Sequence, residues 1–163
     1  LQGQQPGLQP RARAAAVAAR LAAARLNGTT VAADQPATLE EAWLLQRTVA
    51  AMLGPDSDAW KVGSTSAEAQ RKLGTTEPGA ARVPARYRFQ SGDRVPVHAA
   101  HDLWIEAGFA LRLGAPLPAR DAPYTADDVA AAIDGIAPAL EIVGSRLAGG
   151  LSGAGRLLVT ADG

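Results

Sequence analysis

The sequence contains no cysteine, which excludes disulfide bonds, thiolate metal sites and cysteine nucleophiles and is compatible with a reducing compartment. Sixteen basic and sixteen acidic side chains cancel, so the chain lacks the excess positive charge that favours binding to nucleic acid or to an anionic membrane. It also lacks an uninterrupted apolar run of roughly 18 residues, the length that a transmembrane helix needs. We therefore predict a cytoplasmic protein with no nucleic-acid and no membrane partner.

Aromatic residues are also scarce, at 4% of the 163 residues, whereas alanine is abundant. The length is typical of one domain, and the hydrophobic content of 47% is typical of a globular protein. Small side chains bury little apolar surface, so such a domain needs either close packing or partner subunits for stability. For this reason we expect a homo-oligomer.

The order of the predicted elements favours the α+β class, because helices come first and strands follow with one helix between them. Residues 1–12 are polar and proline-containing, and they predict a disordered leader. Residues 13–163 form the predicted domain, with a helical part at 13–74 and a β-rich part at 75–163. The chain ends just after an apolar run at residues 157–159, so we interpret the domain as incomplete.

Capping signals mark most of the predicted helices. An alanine-rich helix is predicted over residues 11–26, with Val17, Leu21 and Ala24 as its apolar stripe. Thr38 and Glu41 predict a capping box for the second helix, and a second box is predicted over residues 65–68. The buried stripe of the second helix is predicted to comprise Ala42, Leu45, Val49 and Met52. Thr125 and Asp128 predict the start of a later helix that ends near Asp134.

The clearest strand signal runs from Asp102 to Leu113, where apolar residues alternate with a second set that contains Glu106. A further strand is predicted over residues 138–143, and it contains Glu141. Two carboxylates on neighbouring strands can approach to roughly 5 Å, close enough to bind one divalent cation. Spacing alone leaves two interpretations open for Glu106 and Glu141: exposed glutamates on a solvated face, or ligands of a metal ion.

The remaining polar residues carry weaker signals. Lys61 at a strand end is either a surface lysine or a group that binds an anion or transfers a proton. His98 and His101 have a spacing found in zinc sites, but no cysteine or third ligand accompanies them. The glycine-rich run at residues 149–155 is not followed by the lysine and hydroxyl residue of a phosphate-binding loop. Ser145 has no histidine beside it in the sequence that would indicate a serine triad.

Several short segments occur in the order seen in the 2-keto-4-pentenoate hydratase group of the fumarylacetoacetate hydrolase superfamily, which the chain resembles over about residues 13–163. These segments are Trp60-Lys61-Val62-Gly63-Ser64-Thr65-Ser66, Gln70-Arg71-Lys72-Leu73-Gly74, Glu77-Pro78, Ile105-Glu106-Ala107, Pro138-Ala139-Leu140-Glu141-Ile142-Val143, Ser145-Arg146 and Ala161-Asp162. The resemblance covers the N-terminal three-fifths of such a protein. It implies N-terminal helices followed by part of a mixed β-roll.

The resemblance also implies a chemistry, namely the addition of water to a short 2-oxo-enoic acid or its dienol in the breakdown of aromatic compounds. It implies a Mg²⁺ or Mn²⁺ cofactor held by Glu106 and Glu141. Lys61 corresponds to the catalytic lysine of the family, and Ser145 and Arg146 correspond to substrate-binding residues. A 2-oxo acid decarboxylase of the same family is the alternative.

The sequence departs from the family pattern at three glycines. Gly108 stands where the family has the second glutamate of a Glu-x-Glu metal-binding pair, and Gly79 and Gly144 stand where acids are found in relatives. The loss of one ligand is expected to weaken the metal site. Two further hypotheses follow: a catalytically impaired relative that acts as a structural or partner subunit, or a truncated piece whose strand edge at residues 157–160 seeks a partner strand.

Overall fold

A computed structural model describes residues 10–32 and 36–148 of the chain. The described residues form two units, of which the first comprises residues up to Leu103 together with those from Gly144 onward. The second unit comprises Trp104–Val143. Both helices and antiparallel strands are present, so the predicted α+β class is confirmed, although the two sheets are not closed into a roll.

Two long helices, α1 (Pro10–Asn27) and α2 (Leu39–Leu53), pack together and supply most of the core of the first unit. The buried residues of α1 lie on one face of the helix and include the predicted Val17, Leu21 and Ala24. Small alanines between them let the helices approach closely. The core cluster comprises Ala14, Val17, Ala18, Leu21, Ala22, Ala42, Leu45, Val49, Leu53 and Leu147.

One predicted core residue of α2 is wrong. Met52 is 45% exposed, whereas Leu53 is almost completely buried. The buried positions Ala42, Leu45, Val49 and Leu53 are separated by three, four and four residues. Met52 lies seven residues after the buried Leu45 and therefore on nearly the same side of the helix, so periodicity alone does not distinguish Met52 from Leu53.

The helix starts follow the capping signals with two differences. Thr38 accepts the backbone N–H of Glu41 at 3.2 Å, but the Glu41 carboxylate accepts the N–H of Ala37 rather than that of the cap residue. The cap of α3 (Ala67–Leu73) is Ser66 alone, whose hydroxyl accepts the N–H of Ala69, so the box predicted from Thr65 is wrong. An N-cap hydroxyl accepts the N–H of the second or third residue after it, and Ser66 does so with Ala69.

Strands β1 (Asp56–Gly63) and β2 (Gly79–Pro84) form an antiparallel pair in the first unit. Arg82 lies opposite Trp60, and its guanidinium carbon is 4.5 Å from the centre of the indole ring. Arg86, just after β2, donates to the carbonyl of Leu53 at 3.3 Å, which ties the sheet to the end of α2.

The second unit is a long two-stranded ribbon of β3 (Trp104–Leu113) and β4 (Ile133–Val143), joined through α4 (Ala126–Ala132). The start of α4 lies at the predicted cap, where the Thr125 hydroxyl accepts the N–H of Asp128 and the Asp128 carboxylate accepts that of Thr125, so that a reciprocal capping box forms. The helix ends at Ala132 rather than near Asp134, because the chain becomes extended at Ile133 and pairs there with Leu113.

One face of the ribbon is apolar and exposed. Phe109 is 79% and Leu140 72% exposed, although the alternation of the sequence is that of a strand with one buried face. The apolar cross-strand pairs are Ile105 with Ile142, Ala107 with Leu140, Phe109 with Pro138, Leu111 with Ile136 and Leu113 with Ile133.

Part of the prediction falls outside the described residues. Residues 1–9 of the predicted leader, the glycine-rich run at 149–155, the strand at 157–159 and the Ala161-Asp162 segment all lie there. The helix α1 begins at Pro10, inside the predicted leader. None of the helices in the described part of the chain combines the length and the apolar composition that a bilayer crossing needs.

Candidate metal site on the ribbon

The two predicted metal ligands are direct cross-strand partners. Glu106 of β3 pairs with Glu141 of β4 in the antiparallel register, so both side chains leave the same face of the ribbon. Residues in such a pair have Cβ atoms about 5 Å apart. Glu106 is exposed and Glu141 is half-buried. The sequence allowed these two residues to lie close together on neighbouring strands, and the structure shows that they are directly paired.

Small residues occupy the next position along the same face. Gly108 pairs with Ala139, and a Cβ atom added at Gly108 would meet no atom within 4 Å. Residues two apart in a strand point to the same side, so a longer side chain at position 108 would project beside Glu106. The place of the second glutamate of the family's Glu-x-Glu pair is thus open space in this chain.

The electrostatics of the face favour a cation. Two like charges directly opposite each other in a sheet repel, and a bound divalent ion would relieve this repulsion. Arg112 lies on the same face but six residues away, roughly 20 Å along the strand. It donates to the Asp134 carboxylate at 2.6 Å, and this hydrogen bond raises the pKa of Arg112.

Mg²⁺ and Mn²⁺ prefer oxygen ligands, and one or two protein carboxylates completed by water and substrate are a common arrangement for Mg²⁺. Glu106 and Glu141 fit this donor type. Within residues 10–32 and 36–148, no group of three or more histidine and acidic side chains has the arrangement of a metal site. The role of Glu106 and Glu141 as metal ligands stays a prediction.

Lys61 lies in the first unit, on β1, where it pairs with Ala81 of β2 and is half-buried. Its neighbour Trp60 points to the other face of the strand. Just beyond β1, Ser64 has a positive φ of 55°, and its carbonyl accepts a hydrogen bond from the Gln70 side chain at 2.9 Å. The role of Lys61 in proton transfer stays a prediction.

Ser145 and Arg146, the predicted substrate-binding residues, also belong to the first unit and are only 2% and 6% exposed. The Ser145 hydroxyl accepts the N–H of Leu147 at 3.1 Å, and Nη1 of Arg146 donates to the carbonyl of Gly144 at 2.6 Å. Their contact with a substrate stays a prediction.

Sequence reasoning considered His98 and His101 only as zinc ligands. In the structure Nε2 of His101 lies 2.9 Å from the carbonyl oxygen of Thr29, so this nitrogen donates a hydrogen bond and does not face a metal site. The two imidazoles meet edge to face, with ring centres 5.4 Å apart. No sequence signal indicated this arrangement, because Thr29 is 72 residues away along the chain.

Comparison with curated proteins finds two similar hydratases. The chain is 35% identical over 88 residues to 2-keto-4-pentenoate hydratase of Paraburkholderia xenovorans strain LB400 and, equally, to 2-keto-4-pentenoate hydratase 3 of Pseudomonas putida. The match covers 54% of this chain and 32% of each relative, so it spans about a third of their length. No protein-family model matches the chain.

Comparison with solved structures finds the same fold in 4-oxalocrotonate decarboxylase from Pseudomonas putida G7. The structure complexed with magnesium and adipate has a TM-score of 0.78 at 23% identity and is matched over 97% of this chain and 61% of that chain. The structure complexed with calcium and acetate has a TM-score of 0.75. The resemblance of this chain to the N-terminal part of the 2-keto-4-pentenoate hydratase-like group is thereby confirmed.

Proposed function

We propose that this chain is part of a metal-dependent lyase that adds water to a short 2-oxo-enoic acid or its dienol in the catabolism of aromatic compounds. The observation that carries the proposal is the direct opposition of Glu106 and Glu141 on one face of the ribbon. The similarity to hydratases over 88 residues supports the substrate class.

Glu106 and Glu141 would hold the Mg²⁺ or Mn²⁺ ion, with water in the position left open at Gly108. When bound, such an ion polarises a 2-oxo group and stabilises the negative charge that develops on its oxygen. The half-buried Glu141 sits in a less aqueous environment than Glu106, so we expect its removal to cost more affinity.

The other proposed residues would bind substrate and move protons. Lys61 would transfer a proton or anchor the anionic substrate, and Ser145 and Arg146 would bind its carboxylate. In the net reaction the oxygen of water bonds to one carbon of the double bond and a proton moves to its neighbour. The proposed reaction therefore involves no change of redox state and no further co-reactant.

The test measures the turnover of 2-hydroxypenta-2,4-dienoate through the loss of its ultraviolet absorbance. The measurement is made once with Mg²⁺ or Mn²⁺ and once with a chelator. We expect activity only with the ion, and a loss of at least 100-fold in Glu141→Gln and Lys61→Met. Asp121→Asn, a change of an exposed acid in the loop before α4, is the matched control and should stay active. Equal turnover in the presence of the chelator would overturn the metal-dependent mechanism.

Decarboxylation is the second candidate, because 4-oxalocrotonate decarboxylase has the same fold. It is distinguished by measuring CO₂ released from 4-oxalocrotonate under the same conditions. Release of CO₂ without hydration of the dienol would replace the hydratase assignment and leave the metal site in place.

The third candidate, a catalytically impaired partner subunit, is favoured by Gly108. A glutamate can be accommodated there, since a Cβ atom meets nothing within 4 Å. Turnover that appears only in Gly108→Glu would identify the natural chain as impaired.

Light scattering during size-exclusion chromatography would test the expected homo-oligomer, and fractionation of cells would test the expected cytoplasmic location.

A further inference from the structure

His101 joins two distant parts of the first unit through different atoms. Its imidazole Nε2 is 2.9 Å from the carbonyl oxygen of Thr29, just beyond the end of α1. Its backbone carbonyl accepts the N–H of Ser145 at 2.7 Å. The residue is 5% exposed, so both hydrogen bonds are sheltered from water.

A second connection runs between the same two parts of the chain. The N–H of Val31 donates to the carbonyl of Arg146 at 2.8 Å, and the N–H of Ala148 donates to the carbonyl of Val31 at 2.9 Å. These bonds form a parallel bridge between Val31 and Leu147. The segment that contains Ser145 and Arg146 is thus hydrogen-bonded both to Val31 and to His101.

Close packing leaves this arrangement little freedom. A Cβ atom at Gly144 would come within 3.1 Å of the Cβ atom and carbonyl oxygen of His101. A Cβ atom at Gly28 would overlap the imidazole of His98, whose ring packs edge to face on that of His101. The glycines therefore permit the close approach that brings His101 to both of its partners.

We propose that His101 is a positioning residue that fixes Ser145 and Arg146 for the binding of a 2-oxo acid carboxylate, an inference that rests on the proposed function. A carbonyl oxygen can only accept, so Nε2 of His101 carries the proton that holds Thr29. A guanidinium recognises a carboxylate well only when its direction is set in advance. The hydrogen bond between His101 and Thr29 would help to fix the segment that carries Arg146, although neither residue belongs to the proposed binding site.

The test compares His101→Gln, whose Nε2 can still donate to Thr29, with His101→Leu, which cannot. Hydrogen exchange of the Ser145 and Val31 amides reports the arrangement without any reference to activity. We expect faster exchange in His101→Leu and near-normal exchange in His101→Gln. Unchanged exchange in a folded His101→Leu protein would overturn the inference, and Gly144→Ala, which crowds His101 at 3.1 Å, provides a second perturbation if the leucine variant fails to fold.

Binding of pyruvate, the simplest 2-oxo acid, is then measured by calorimetry in the Mg²⁺-loaded protein. Without the tie to Thr29, the segment should hold its binding-competent arrangement only about one fifth of the time, which predicts a roughly fivefold weaker affinity in His101→Leu and Gly144→Ala, with recovery in His101→Gln. In the turnover assay KM should rise by the same factor while kcat changes less. Equal pyruvate affinity in all variants would overturn the inference, whereas absence of turnover in the unaltered protein with intact pyruvate binding would overturn only the proposed reaction.

Discussion

Replacing Glu106 by glutamine removes one of two like charges that lie directly opposite each other on the ribbon. At a charge separation equal to the Cβ spacing of such a pair, about 5 Å, Coulomb's law gives upper limits of roughly 0.8 kcal/mol in water and roughly 3 kcal/mol at an effective dielectric constant of about 20. Glu106 is exposed, so we expect a value near the lower limit. In the absence of divalent ions, Glu106→Gln should therefore stabilise the protein by about 0.5–1 kcal/mol.

A divalent ion should reverse this order of stability. An ion that binds only the folded protein adds about 2.7 kcal/mol at 100 times its Kd, which exceeds the repulsion that the substitution removes. The unaltered protein should gain this stability, and Glu106→Gln should gain much less because it has lost a ligand. The sign of the difference in Tm between the two proteins should therefore change when Mg²⁺ is added.

The assay is calorimetric unfolding at low salt, with a chelator or with Mg²⁺ at millimolar concentration. For a protein of this length, 1 kcal/mol corresponds to roughly 2–4 °C in Tm. Asp121→Asn controls for the loss of a negative charge from an exposed site of the same unit. The reasoning would be refuted if Mg²⁺ raised the Tm of the unaltered protein and of Glu106→Gln equally. It would also be refuted if Glu106→Gln had a lower Tm than the unaltered protein in the presence of the chelator.

Three further predictions concern stability and are checked by chemical denaturation. Leu45→Ala opens a cavity in the α1–α2 core and should cost about 2–4 kcal/mol, whereas Met52→Ala on the exposed side of α2 should cost under about 1 kcal/mol; similar losses would contradict the assigned core. Thr125→Ala removes the N-cap of α4 and should cost about 1 kcal/mol, with Thr125→Ser as the control that keeps the hydroxyl. The pKa of Asp128 is lowered mainly by the hydrogen bond from the N–H of Thr125, and further by Arg120 and the Thr125 hydroxyl. The contribution of Asp128 to the stability of the folded protein should therefore be complete above the ordinary carboxyl pKa and disappear as pH falls through the lowered value. An Asp128→Asn protein with the same acid dependence of stability would contradict this assignment.

Much of the local structure could be predicted from the sequence because its causes are local. The N-caps of Thr38 and Thr125 need only a hydroxyl three residues before the N–H that it accepts, and both form as predicted, whereas the Glu41 carboxylate bonds to Ala37 instead of returning to Thr38. The alternation from Asp102 to Leu113 identifies the two faces of β3 because side chains reverse direction at every residue. The presence of Glu106 on the face opposite the apolar row follows from the same periodicity.

Contacts between distant residues were decided only by the tertiary structure. The register that sets Glu106 against Glu141 is fixed by how the two whole strands pair, and β4 begins five residues earlier than the sequence predicted. The exposure of Phe109 likewise depends on whether another part of the protein packs on the apolar face of the ribbon. The alternation of apolar and polar residues along β3 carries no information about such packing. His101 reaches Thr29 across 72 residues through one hydrogen bond, because folding brings the end of α1 beside it. Periodicity reports which way a side chain points, whereas its partner is fixed by the path of the whole chain.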